Sequence, residues 1–309
     1  MAFSKIFSFD ELESKILRLD SVHEDKVVKP GNRAPKFEDF SEAGLSSAGT
    51  KFGFPARFVT SLYDGGHPDL AQKIIDTKVK DYLAMGQPFL LRKWDDRIEG
   101  VVSNRYGIFD DKEVVSILEK SPYLQNSEEI WFGETPFYFH TRFISPNRLR
   151  LDGDDSDLSM AVFVDNSMTG NGSFRVRFGL YRWACTNGCI SGLKSFEIVK
   201  QIHKSGVQFA KDLNAALVEV PRYEEMLLEM ARKMSTTRSS IYGMTEEQAL
   251  AYISKKLLAS DKISKDVLEK YNSYGGRTQW DLVNAITEKA HDLSDMERVK
   301  FETLALRVA

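Results

Sequence analysis

Ser173-Phe174-Arg175-Val176-Arg177-Phe178-Gly179-Leu180-Tyr181-Arg182-Trp183 is the stretch on which the reading of this chain turns. Its period is two. Phe174, Val176 and Phe178 fall on one side of an extended strand, Arg175 and Arg177 on the other. Continued, the alternation puts Tyr181 and Trp183 on the arginine side and turns Arg182 away, with Gly179 available for a bulge. Such a strand reads as half-buried, its guanidinium groups in solvent.

Upstream the pattern stays β-like. Phe89–Trp94 and Arg97–Ser103 flank Asp95-Asp96, which reads as a hairpin over 89–103. Glu129–Gly133, Phe137–Ile144, Asn147–Leu151 and Met160–Asp165 follow, separated by turn formers such as Ser145-Pro146 and Gly170-Asn171-Gly172. Downstream of Cys189 the period becomes helical. Helices are expected over 191–218, 222–235, 245–259, 263–272, 278–291 and 294–306, with Pro221 and Gly275-Gly276 as breaks. Strands followed by helices imply an α+β fold: an antiparallel, β-rich central sheet, an N-terminal helix and a helical C-terminal half.

The N-terminal helix begins near Ser8, where Glu11 completes a capping-box pattern. Residues 22–56, rich in Lys, Pro, Gly and Ser, read as a loosely structured connector. Pro68–Leu83 returns to helical spacing, with Ala71, Ile75, Val79 and Tyr82 on one face. The expected organisation is therefore 1–56 as helix and connector, 57–218 as an α+β core, and 219–309 as a helical region packed on it.

The chain has 309 residues, 42 Lys and Arg against 45 Asp and Glu, and a formal net charge of −3. That length buries a core without disulfides, and the charge excludes a histone-like nucleic-acid binder. No apolar run is long enough for a membrane helix. The two cysteines, Cys185 and Cys189, read as reduced thiols of a cytoplasmic protein, since two thiols cannot complete a four-ligand zinc site. No phosphate loop, dinucleotide fingerprint, zinc-protease helix or nucleophile elbow is present, so conventional P-loop ATP hydrolysis is not expected. The histidines His23, His67, His140, His203 and His291 are scattered. No metal ligand, cofactor or catalytic residue is expected. Asp110-Asp111, Glu128-Glu129 and the acidic run Asp152–Asp157 read as solvated turns.

Three segments depart from bland composition: Val101–Tyr106, the strand running through Arg182 to Cys185-Thr186-Asn187, and Thr278–Glu288. Together and in this order, they resemble the phage/plasmid-like protein family, a family of unknown function with prophage members of the YafZ and YfjQ type. Its pattern is a V-S-x-R-Y strand end, an R-x-x-C-T-N stretch with a helix after it, and a late T-x-W-x-x-x-N-A-x-T helix. The resemblance covers about residues 85–292 and implies a mobile-element origin. It departs at Asp165–Gly170, where many relatives have a turn containing histidine.

At 100° per residue a helix after Cys189 places Lys200, His203, Lys204 and Lys211 on one face. With Arg175, Arg177, Tyr181 and Trp183 they make a basic, aromatic surface of the kind that grips phosphates and stacks single-stranded bases. Asn104, Arg105 and Tyr106, Asn187, and the stripe Trp280, Asn284 and Thr287 read as structural. A buried Arg–carboxylate pair suits the first group, a helix cap Asn187, and helix anchoring the last. The expected function is single-stranded DNA binding by a phage or mobile-element protein, with ATP-independent annealing or recombination and homo-oligomers in view. Inhibition of a host enzyme or defence complex through protein binding is the second reading, and a nuclease-like enzyme the third.

Overall fold

Strands fill the middle of the chain and helices its last third, the α+β order expected. The computed structural model describes residues 4–16, 23–107, 109–134, 139–151, 154, 156–167, 169–170, 172–183, 187–190, 197–201 and 209–308. The first part runs β1 (Ser4–Ile6), α1 (Phe9–Lys15), β2 (His23–Val28), α2 (Glu42–Phe52), α3 (Ala56–Asp64), α4 (Pro68–Ala84), β3 (Phe89–Trp94) and β4 (Arg97–Ser103). The middle runs α5 (Asp111–Glu119), α6 (Pro122–Gln125), β5 (Glu129–Glu134), β6 (Phe139–Ile144), β7 (Leu149–Arg150), β8 (Asp157–Asn166), β9 (Phe174–Arg182), β10 (Asn187–Ile190) and β11 (Glu197–Gln201). The helices α7 (Phe209–Val218), α8 (Val220–Thr236), α9 (Glu246–Leu257), α10 (Asp261–Ser273), α11 (Gln279–Ala290) and α12 (Asp295–Val308) complete it.

The larger sheet has the order β1-β5-β6-β8-β9-β10, with β7 added to β8 and β11 to β9. All its pairs are antiparallel. β8 holds one edge of β9, so β10 and β11 share the other: Ile190 sits opposite Gly179, and Lys200 opposite Arg175. Here the expected helix 191–218 is corrected. Residues 197–201 form a strand and only 209–218 are helical; 191–196 and 202–208 lie outside the described residues. Ile198 and Val199 fit either period over so short a run, and the open edge of β9 supplied hydrogen-bond partners that a helix does not need.

The alternation read from β9 holds on one face. Phe174, Val176, Phe178 and Leu180 are buried with Phe139, Phe143, Met160, Val162 and Val164. Phe9 of α1 stacks on Phe143 at 5.4 Å, and Tyr223 of α8 meets Phe178 at 5.0 Å. Full burial of each such side chain stabilises by about 1.5–3 kcal/mol. The opposite face is not the solvent face expected. Ile144, Ala161, Phe163 and Tyr181 are buried there, and Val299 of α12 packs on them. All of Leu158–Asn166 in β8 is buried, so this sheet is covered on both sides.

Of the expected connector 22–56, the described residues 23–56 are more structured than a connector. His23–Val28 pairs with β3, which pairs with β4 across the turn at Asp95 (φ 47°) and Asp96 (φ 66°), as the hairpin reading required. Helices α2, α3 and α4 pack on this smaller sheet through Leu45, Ala48, Phe52, Val59, Ala71, Ile75 and Val79. A Cβ on Gly44 would lie 1.8 Å from the Ile98 carbonyl oxygen, so only glycine lets α2 approach β4 this closely.

Hydrogen bonds fasten the smaller layer to the β8 end of the large sheet. Ser47 Oγ lies 3.0 Å from the Thr169 carbonyl oxygen, and Tyr106 OH donates to the Ser167 carbonyl at 3.0 Å. Asn166 Nδ2 reaches the Phe109 carbonyl at 2.9 Å and Asp111 Oδ1 at 2.6 Å. Asn166, Ser167 and Thr169, which end and follow β8, are therefore a joint. Asp111, expected in a solvated turn, is buried in it.

Candidate functional site

Three strands and one helix bring charged groups to one place on the α12 side of the large sheet. His140 of β6, Asp165 of β8, and Arg175 and Arg177 of β9 project from the same face, because each is an even number of residues from a buried neighbour on that face. Ser173 precedes β9, Leu258 caps the end of α9, and Val299, Lys300, Thr303 and Leu304 come from α12. These residues line an open cavity of about 400 Å3.

Inside it, the charges fall into two groups. His140 Nδ1 sits 2.5 Å from Asp165 Oδ1, while Arg177 Nη2 donates to Asp165 Oδ2 and Arg177 Nη1 to Thr303 Oγ1 at 2.9 Å. Burial opposes the charge on Asp165, but Arg177, His140 and Arg175 outweigh it and hold the carboxyl well below the usual carboxylate range. Both Asp165 oxygens are met within this trio, while the buried Arg177 Nε has no hydrogen-bond partner among the described residues. Arg175 and Lys300 are different: Arg175, cross-strand from Asp165 and adding to its stabilisation, donates Nε to Ser173 Oγ at 3.0 Å, and among the described residues neither cation is in an ion pair within salt-bridge distance. Arg175 is half-buried and Lys300 exposed.

The basic surface counted from the sequence is thus largely spent inside the fold. Arg142 pairs with Glu302 at 2.8 Å, Arg148 with Glu128 and Asp157, Arg177 with Asp165, and Arg182 with Asp154 at 2.6 Å. Arg177, expected in solvent, is 3% exposed, because α12 closes over it. Tyr181 is buried at 1%, its hydroxyl 3.3 Å from Glu129 Oε2, and cannot stack on a base. Trp183 is half-buried, donates to Ser159 Oγ at 2.9 Å and carries Arg148 over its ring at 4.1 Å. Lys200 is a strand residue, not a helical one, so the expected face of Lys200, His203, Lys204 and Lys211 does not form. Lys204 lies outside the described residues, and Lys211 is exposed on α7. Sequence reasoning did not reach Lys300, since nothing in the mixed-charge run Asp295–Glu302 singles it out.

The residues read as structural have specific partners. Trp280, Asn284 and Thr287 are all buried along α11, the anchoring stripe expected. Asp154, from the acidic run, is no solvated tip. It accepts from Trp280 Nε1 at 2.7 Å, from the Arg182 guanidinium and from Ser156 N at 2.9 Å. Burial opposes its charge, but the Arg182, Trp280 and Ser156 hydrogen bonds hold its pKa below the usual carboxylate value. Asn104 and Arg105 are exposed, which removes the expected buried Arg105 pair. The buried arginine of this region is Arg92, held by Asp25 at 3.1 Å and Asp110 at 3.0 Å. Asn187 opens β10 opposite Arg182 instead of capping a helix. Among the described residues no group of three or more His, Cys, Asp or Glu is placed to hold a metal ion, and no helix is long and apolar enough to cross a membrane.

Fold and site together define an α+β protein whose two-sided antiparallel sheet carries a cationic cavity under its last helix. The model of DUF932, a domain of unknown function, matches residues 99–304, and the chain belongs to that family. No curated protein and no solved structure gave a significant match. The matched span runs from within β4 through Arg182 to Trp280 and α12, so it includes the Asp154 network and the cavity.

Proposed function

We propose that this chain is a phage or mobile-element protein that binds single-stranded DNA, its backbone held at the cavity between β9 and α12. The observation that carries the reading is the pair Arg175 and Lys300. Neither is in an ion pair among the described residues, and both line one open cavity beside the apolar Leu258, Val299 and Leu304. Cations hold phosphate, and an apolar wall receives a sugar or base face. The binding surface is narrower than the strand-plus-helix face read from the sequence, since Arg177 and Tyr181 serve the interior. ATP-independent annealing is the activity to assay once binding is measured.

Fluorescence anisotropy of a labelled oligonucleotide, titrated at two salt concentrations, tests this. Binding should weaken steeply with salt. The double variant Arg175→Ala/Lys300→Ala should reduce the salt slope by roughly 1.4, about 0.7 for each phosphate no longer neutralised. A slope unchanged in that variant removes the cavity as the strand site.

A further inference from the structure

The cavity's charge arrangement suits a narrower ligand than a run of backbone. Arg177 and His140 are both engaged with the one Asp165 carboxylate, so neither is directed at the opening. Arg175 of β9 and Lys300 of α12 remain, both lining the same opening. A phosphodiester brings a single negative charge to such a pair. A phosphomonoester brings a charge of about −2 and three acceptor oxygens. The Ser173 hydroxyl accepts from Arg175 Nε, which orients the guanidinium and turns its remaining N–H groups toward other acceptors. Leu258, Val299 and Leu304 give the same cavity an apolar side, and its volume of about 400 Å3 lies within the range of small-ligand sites.

We infer that this cavity is a pocket for one nucleoside carrying a phosphomonoester, with Arg175 and Lys300 on the phosphate and Leu258, Val299 and Leu304 against the nucleoside. Two sources share that chemistry: the phosphorylated end of a single strand and a free mononucleotide. The first deepens the strand-binding reading and rests on it.

Competition against a labelled 5′-phosphorylated oligonucleotide tests the assignment. The competitors are the same sequence with a 5′-phosphate, with a 3′-phosphate, and with hydroxyls at both ends, together with free deoxynucleoside monophosphates. A phosphate-ended strand should compete on the order of tenfold better than the hydroxyl-ended one, the effect of one additional charge-assisted hydrogen bond. That preference should vanish in Arg175→Ala/Lys300→Ala and in the single charge reversal Lys300→Glu, whose site is exposed and whose fold is checked by melting. Competition by free mononucleotide at similar concentration identifies the free nucleotide as the ligand; competition by strand ends alone identifies the strand terminus. Equal competition by phosphate- and hydroxyl-ended strands overturns the pocket while leaving strand binding in place. Mononucleotide binding without strand binding overturns the proposed function while leaving the pocket.

Discussion

Arg175 and Arg177 are two residues apart on one strand face, yet their environments differ because only one lies beneath α12. Arg177 is 3% exposed and is bound to Asp165 and Thr303, so Arg177→Ala leaves a buried carboxylate without its cation. That change should cost about 3–5 kcal/mol, whereas Arg175→Ala should cost no more than about 1 kcal/mol; urea unfolding measures both. His291 supplies a pH signature. Burial, aided by Arg298 and Arg142, pushes its pKa down to about 4, and Arg298 Nη2 lies 3.2 Å from its Nε2. Between about pH 6.5, the unfolded value, and 4 the unfolded chain takes up a proton that the folded chain refuses. Stability therefore falls as pH drops through that window, by about 1–2 kcal/mol once solvent screening of this half-buried ring is allowed for. His291→Gln should flatten the slope there; an unchanged slope would assign it to another group.

Among the elements, the Asp154 network explains why two of the motif segments belong together. Arg182 ends β9 and Trp280 begins α11, and both donate to the same buried carboxylate. Trp280→Phe keeps an aromatic ring but removes the Nε1–H donor and part of the buried indole, at a cost of at least about 1–3 kcal/mol. Asp154→Asn removes the charge that Arg182 faces and should cost more. Their combined effect should be smaller than the sum, since both act on one network; additive chemical-denaturation energies would break that account. The acidic run could not announce this locally, because neighbouring carboxylates look like a solvated turn until a distant tryptophan reaches one of them. The β10–β11 edge behaves similarly: the residues after Cys189 carry a usable helical period, and strand pairing with β9 overrode it.

For the whole molecule, the decisive feature is how a small α/β layer is fastened to the large sheet. Ser47 to Thr169 and Tyr106 to Ser167 are polar links between them. Ser47→Ala/Tyr106→Phe should let residues 23–101 exchange amide hydrogen ahead of the large sheet, which mass spectrometry by peptide would show. Exchange that remains uniform would mean that apolar packing alone couples the layers. Local pattern was enough for the α+β order, the 89–103 hairpin, the buried face of β9, the cap at Ser8 and the anchoring stripe of α11. Each rests on a period or a turn signal contained in a few consecutive residues. The three-dimensional packing was needed to show that the arginine face is covered, that Asp154 is buried, that Arg175 is in no ion pair among the described residues and that Lys300 lines the same cavity. Alternation tells which side chains share a face, but not whether a helix more than a hundred residues later will lie across it. The uninterrupted apolar run Met160–Val164 was the one local hint of cover on both sides.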